Sequence, residues 1–119
     1  MTTHKLDDFW IRESATMEDA IAAIQNNNCR CVVVAGASQK VVGVFSEGDV
    51  LRAILAGIDV HTPLRSLVQP SFRYLRSRDL KTARTWMVDG MTLIPLINDD
   101  FRLQDVLTLT DVFGDSSND

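Results

Sequence analysis

The chain has 119 residues, 45% hydrophobic and 24% charged, with a net charge of −4. That length builds one compact domain, or two small halves sharing a core, and it is too short for a dinucleotide-binding enzyme with its own substrate domain. The composition excludes a disordered chain, and the acidic balance removes the footprint of a non-specific nucleic-acid binder.

Residues 1–8 form a polar lead-in without the apolar stretch of a secretory signal, and no apolar run reaches the roughly 18 residues of a membrane-spanning helix. No membrane association is expected. Phe9-Trp10-Ile11 predicts a short strand. Thr16, with Asp19 three residues on, starts a helix whose apolar face is Met17, Ala20, Ile21 and Ile24. Asn26-Asn27-Asn28 ends it. Cys31 to Ala35 is a continuous small or β-branched run, which suits a strand buried on both faces. Gly36 to Lys40 is turn material, and Val41 to Phe45 is a second strand. Ser46 caps a helix over Glu47 to Ala56, with Val50, Leu51, Ile54 and Leu55 expected inward and Gly57 as its stop. Thr62-Pro63 opens a helical turn over Leu64 to Val68, closed by Pro70.

The rest of the chain repeats this pattern. Phe9 to Ala35 lies on Phe72 to Asn98 without a gap, and Val44 to Val50 then lies on Val106 to Val112 once one turn residue is skipped. In the second copy Leu80, Ala83 and Met87 line a helix ending at Gly90. Thr92 to Ile97 and Leu103 to Leu107 are strands, a short helix begins at Leu109, and residues 114–119 read as a flexible tail. Pro95 inside a strand is expected at an edge or near the strand start. Each half reads β-α-β-β-α, over residues 9–69 with the linker and 70–113. One half alone would bury too little surface to offset chain entropy. The expected fold is α/β (α+β): two pseudo-two-fold repeats packed through their sheets, with two equivalent clefts between them.

Cys29 and Cys31 are one residue apart. A bridge across that spacing would be strained in a strand, so the thiols point to a reducing cytoplasm. With His4 and His61 distant, they make no zinc site, and no metal is expected. No nucleophile–base constellation is found, so no catalytic residue is assigned.

The repeat, and above all Gly43-Val44-Phe45-Ser46-Glu47-Gly48-Asp49, resembles a tandem pair of cystathionine-β-synthase (CBS) domains, the Bateman module. The family's nucleotide motif is glycine, two hydrophobic residues, Thr or Ser, two variable residues, then Asp. The second copy keeps Thr108 and Asp111 but has Asp105 where the family has glycine. The stretch from Ser46 to Ile58, with Thr62-Pro63-Leu64, is similar to CBS pairs that precede sugar-nucleotide (nucleotidyl) transferase domains, whose catalytic signature is not in this chain.

The resemblance implies a regulatory module without a required cofactor, binding an adenine nucleotide (AMP, ADP or ATP) or a related adenosyl ligand. Ser46 and Thr108 would face phosphate, and Asp49 and Asp111 would accept from ribose hydroxyls. Thr16, Arg30, Val32 and Arg76 join this ligand-binding set. Ser-x-x-Asp is equally a plain helix cap. The basic run of Arg73, Arg76, Arg78, Lys81 and Arg84 is either a phosphate-attracting rim or a solvated face. Trp86 packs at a dimer interface, stacks an adenine or fills the core edge. Partners implied are a second copy, as homodimer, and a sugar-nucleotide transferase. The rival reading is a structural dimerisation module with no ligand.

Overall fold

The computed structural model describes residues 5–114. The expected tail from residue 115 and the first four residues of the lead-in lie outside the described residues. The first half contributes β1 (Trp10–Arg12), α1 (Met17–Asn27), β2 (Cys31–Ala35), β3 (Val41–Ser46) and α2 (Glu47–Leu55). The second contributes α3 (Leu80–Val88), β4 (Leu93–Ile97), β5 (Leu103–Thr108) and α4 (Leu109–Phe113). A 3-10 turn at Leu64–Ser66 lies in the linker.

Four layers result: helices, sheet, sheet, helices. In the first sheet β2 lies between β1, parallel to it, and β3, antiparallel. In the second, β4 pairs antiparallel with β5. Side-chain alternation along a strand assigns the faces. Cys31 and Val33 of β2 meet Leu93 and Ile97 of β4 in a core between the sheets. Val32 and Val34 turn the other way, onto Met17, Ala20 and Ile24 of α1. Ile94 and Leu96 likewise turn onto Ala83 and Met87 of α3. Both β2 and β4 are thus buried on both faces, as their unbroken apolar runs require.

The strand contacts correct the repeat register. Cys31 pairs with Ser46, and Leu93 with Thr108; the bulges fall at Val34/Ala35 and Leu96/Ile97. Cys31 therefore corresponds to Leu93, not to Ile94 as the gapless overlay has it. The helices do follow the overlay, since Met17 and Leu80 each stand next to their N-caps, Thr16 and Asp79. The extra residue of the first half is spent at the end of α1, before β2. A slip of one would turn every side chain of the strand to the wrong face.

Pro95 explains a second departure. Its counterpart in this register is Val33, whose N–H donates to the Phe9 carbonyl at 2.8 Å. Proline has no N–H to give. The rung is missing, and Phe72 to Tyr74 forms no regular strand; the lead-in of the second half is a single bridge, Leu75 to Leu96. The Pro95 carbonyl still accepts from Leu75 at 3.0 Å, so the residue sits mid-strand, opposite Val106, with its carbonyl turned away from β5.

Helix α2 also differs from expectation. Leu51, Ile54 and Leu55 are 59%, 48% and 79% exposed, and Ala53 is its buried residue. The linker explains why: Leu64, Leu67 and Val68 pack into the core beneath α1 and α2, occupying sheet surface that α2 would otherwise cover. Leu80, at the first position of α3, is exposed as well.

Candidate functional site

The two halves enclose a cleft of about 620 Å³ at the end of the sheets where β2 begins and β5 ends. One wall is the loop between α1 and β2. Asn28 closes α1 in the left-handed conformation (φ 58°), and Arg30 is left-handed too (φ 63°). The Asn27 side chain ties this loop together. Its amide donates to the Asp8 and Cys31 carbonyls, each at 3.1 Å, and its oxygen accepts from the Cys29 N–H at 2.7 Å. Arg30 and Cys29 are thereby held at the cleft, with Phe9 beside them. The Thr92 hydroxyl donates across the halves to the Cys29 carbonyl.

The opposite wall is the turn from β5 into α4. Thr108 is buried, and its hydroxyl and N–H both donate to Asp111 Oδ2, at 3.0 and 2.8 Å, while the Asp111 N–H donates back to Thr108 Oγ1 at 3.2 Å. This reciprocal box satisfies the N–H groups at the start of α4. The cleft therefore gathers one cationic side chain, Arg30, one carboxylate, Asp111, the polar Thr110, and apolar surface from Phe9 and Leu109. Such a set holds a ligand with an anionic group, hydroxyls and a flat apolar part. Burial and the neighbouring Asp111 carboxylate both push the Cys29 thiol up. The Cys31 thiol, sealed in the core, is pushed up to about 12, chiefly by burial.

Of the residues expected to bind ligand, the structure brings together Thr108, Asp111 and Arg30. Ser46 and Asp49 form the same box at the head of α2, with distances of 2.9, 3.0 and 3.2 Å. They line neither this cleft nor the smaller cavity at the other end of the sheet. The second oxygen of Asp49 is taken by Arg52. Burial pushes the Asp49 carboxyl up, but the bonds from Ser46 and Arg52 outweigh it and hold it below its ordinary value. Thr16 is a third such box, with Asp19, and bridges to Pro63 outside the cleft. Val32 is wholly buried against the helices and lines neither cavity.

Arg76 is directed elsewhere. It pairs with Asp99 at 2.9 Å and lies over the Tyr74 and Phe101 rings at 5.8 and 5.5 Å. The basic run is largely spent in this way: Arg78 reaches Asp105 at 3.5 Å, Arg73 lies over Trp86, and Arg84 over Phe113. Trp86 packs at the edge of the second helical core. Asn27, Cys29, Phe9 and Thr92 are not among the residues expected at the ligand site from the sequence; the correspondence of residues 29–30 with 91–92 across the repeat is the signal available. Among the described residues no group of His, Cys, Asp or Glu is placed to hold a metal ion.

The CBS domain family matches residues 1–56. The match covers the first half of the chain, through β3 and α2. Solved CBS-pair proteins share the fold across both halves. A CBS domain protein from Pyrobaculum aerophilum, complexed with AMP, is 20% identical, with a TM-score of 0.71 over 92% of this chain and 86% of that one. A CBS domain pair/ACT domain protein from Thermotoga maritima is 18% identical, with a TM-score of 0.72 over 92% of this chain and 88% of its own. The cytosolic domain of the Mg2+ channel MgtE, in complex with ATP, is 22% identical, with a TM-score of 0.68 over 88% of this chain and 43% of that one. Among curated proteins, arabinose 5-phosphate isomerase GutQ of Escherichia coli strain K12 is 26% identical over 84% of this chain. The chain spans about a third (32%) of that relative's length.

Proposed function

We propose that this chain is a non-catalytic regulatory module that senses an adenine nucleotide in the cleft at Arg30, Thr108 and Asp111. The observation that carries the reading is the cleft itself, where a guanidinium, a carboxylate and apolar surface converge from both halves. Solved structures of similar fold hold AMP and ATP. With Arg30 as the cationic group among the lining residues, a monophosphate is matched better than a triphosphate, whose extra charges would go unpaired. A ligand bridging both halves favours the arrangement that it binds best, and it shifts that balance only by its differential affinity.

The regulated enzyme is proposed to act in sugar-phosphate or sugar-nucleotide chemistry, attached to this module or associated with it. The matches to sugar-phosphate isomerases support that class, and the sugar-nucleotide transferase expected from the sequence falls within it. The unpaired thiols of Cys29 and Cys31 fit a cytoplasmic setting. No helix among the described residues is long and apolar enough to cross a membrane.

The test is thermal unfolding with AMP, ADP and ATP, on the parent chain, Asp111→Asn and Asp49→Asn. Ligand at 100-fold its dissociation constant adds about 2.7 kcal/mol, a rise on the order of 10 °C. The expected result is a rise with AMP that is lost in Asp111→Asn and kept in Asp49→Asn. No rise with any nucleotide would overturn the sensor reading. A specific feature supports the rival, a dimerisation module: the exposed Leu51, Ile54 and Leu55 on one helix. In that case changing all three to polar residues breaks a dimer while no nucleotide has any effect.

A further inference from the structure

A second cavity, of about 360 Å³, lies at the opposite end of the first sheet, where β1 and β2 finish. Its chemistry differs from that of the nucleotide cleft. Arg12 and Arg65 both line it, and neither side chain has an ion-pair or hydrogen-bond partner among the described residues. The backbone around both arginines is fixed. The Glu13 N–H donates to the Ala35 carbonyl, and the Arg65 N–H to the Glu13 carbonyl, each at 2.9 Å. Two arginines from separate segments, the first strand and the linker, thus line one small space with like charge that no carboxylate among the described residues pairs.

The third charged group is Glu13, half-buried in the cavity wall. Its carboxylate lies over Gly36, so closely that a methyl group at that position would collide with it. It too has no hydrogen-bond partner among the described residues. Trp10, Ser14 and Gln39 complete the lining. A partly buried carboxylate calls for donors, and two unpaired guanidiniums call for an oxyanion. The indole offers an apolar face for the carbon–hydrogen side of a ring.

We propose that this cavity is a second ligand site, for a phosphorylated sugar. The phosphate sits between Arg12 and Arg65, sugar hydroxyls donate to Glu13, and the ring rests against Trp10. The volume falls at the small end of the range for ligand sites, which suits one sugar ring rather than a nucleotide. The site is independent of the nucleotide cleft, since the two share no lining residue.

Glucose 6-phosphate is the probe, titrated into the full chain while the two indole N–H resonances are followed by NMR. The expected result is a saturable shift at Trp10 and none at Trp86. Arg12→Gln and Arg65→Gln each weaken binding about ten-fold, the loss of one charge-assisted contact. Glu13→Gln weakens glucose 6-phosphate but not inorganic phosphate, and Asp111→Asn changes neither. Any one of three results overturns the proposal: no saturable Trp10 shift, a shift that survives the Arg12→Gln/Arg65→Gln double change, or equal affinity for inorganic phosphate and the sugar phosphate.

Discussion

Replacing Gly43 by alanine separates packing from ligand binding at the residue that opens the nucleotide motif. Gly43 is buried in β3 opposite Val34, and the linker runs across it. A Cβ there would stand 2.9 Å from the Gln69 carbonyl oxygen and 3.2 Å from Val68 Cβ. The first of these is backbone, held by a linker that is itself packed through Leu64 and Val68, so it cannot swing aside as a side-chain tip would. Overpacking of this kind costs about 1–3 kcal/mol. Alanine returns about 0.4–1 kcal/mol by restricting the unfolded chain. The net expectation is a loss of about 1–2 kcal/mol, or a fall of roughly 4–8 °C in Tm. Urea unfolding followed by circular dichroism should show the midpoint lowered with an unchanged slope. Nucleotide affinity, measured well below the transition, should not change. A midpoint equal to or above the parent's would refute the argument, and weakened affinity at full stability would return the glycine to the ligand. The second repeat has no linker to accommodate at this position, and there Asp105 reaches Arg78 instead.

Two further outcomes follow from the titrating groups. Asp49 is held below the ordinary value of 3.8, so the stability it contributes is present above about pH 3.8 and is lost as pH falls through the lower folded value. Asp49→Asn should therefore cost more at pH ~6 than at pH ~2.5 in urea titrations, and a constant difference across that window would contradict the cap geometry. Cys31, raised to about 12 and buried, should resist alkylation in the native chain near neutral pH, whereas Cys29 at the cleft should react slowly and be shielded further by AMP. Mass spectrometry of the labelled chain reads both sites, and native Cys31 reacting like an exposed thiol would refute the burial argument.

Much of the fold could be read from local patterns because local physics decides it. The three Thr or Ser boxes, the unbroken run of β2 and the Met17–Ala20–Ile24 face each specify their element from within a few residues. What was not legible depended on what packs against what. Leu51, Ile54 and Leu55 have the spacing of an inward face, yet the linker had already filled the space beneath them. The strand register of the second repeat turned on where one extra residue was spent, which residue classes alone do not fix when β2 and β4 are apolar throughout. In the site, the motif marked Ser46 and Thr108 alike, because a capping box and a ligand-facing turn have the same spacing. The cavity forms at Thr108, where Arg30, Phe9 and Asn27 come from the other half.

The Thr92 hydroxyl bonded to the Cys29 carbonyl has a consequence for how the two halves are joined at the cleft. It joins the loop at residues 29–30 to its repeat counterpart at 91–92, and Cys29, Arg30 and Thr92 all line the cleft at Thr108. The same strands, β2 and β4, run from these loops to the pairs Cys31–Ser46 and Leu93–Thr108. The bond therefore fastens together the strand starts that lead to both motif turns, like a clasp between two straps. Any change in the spacing of these two loops is felt directly at the walls of the cleft, with no relay through the helices.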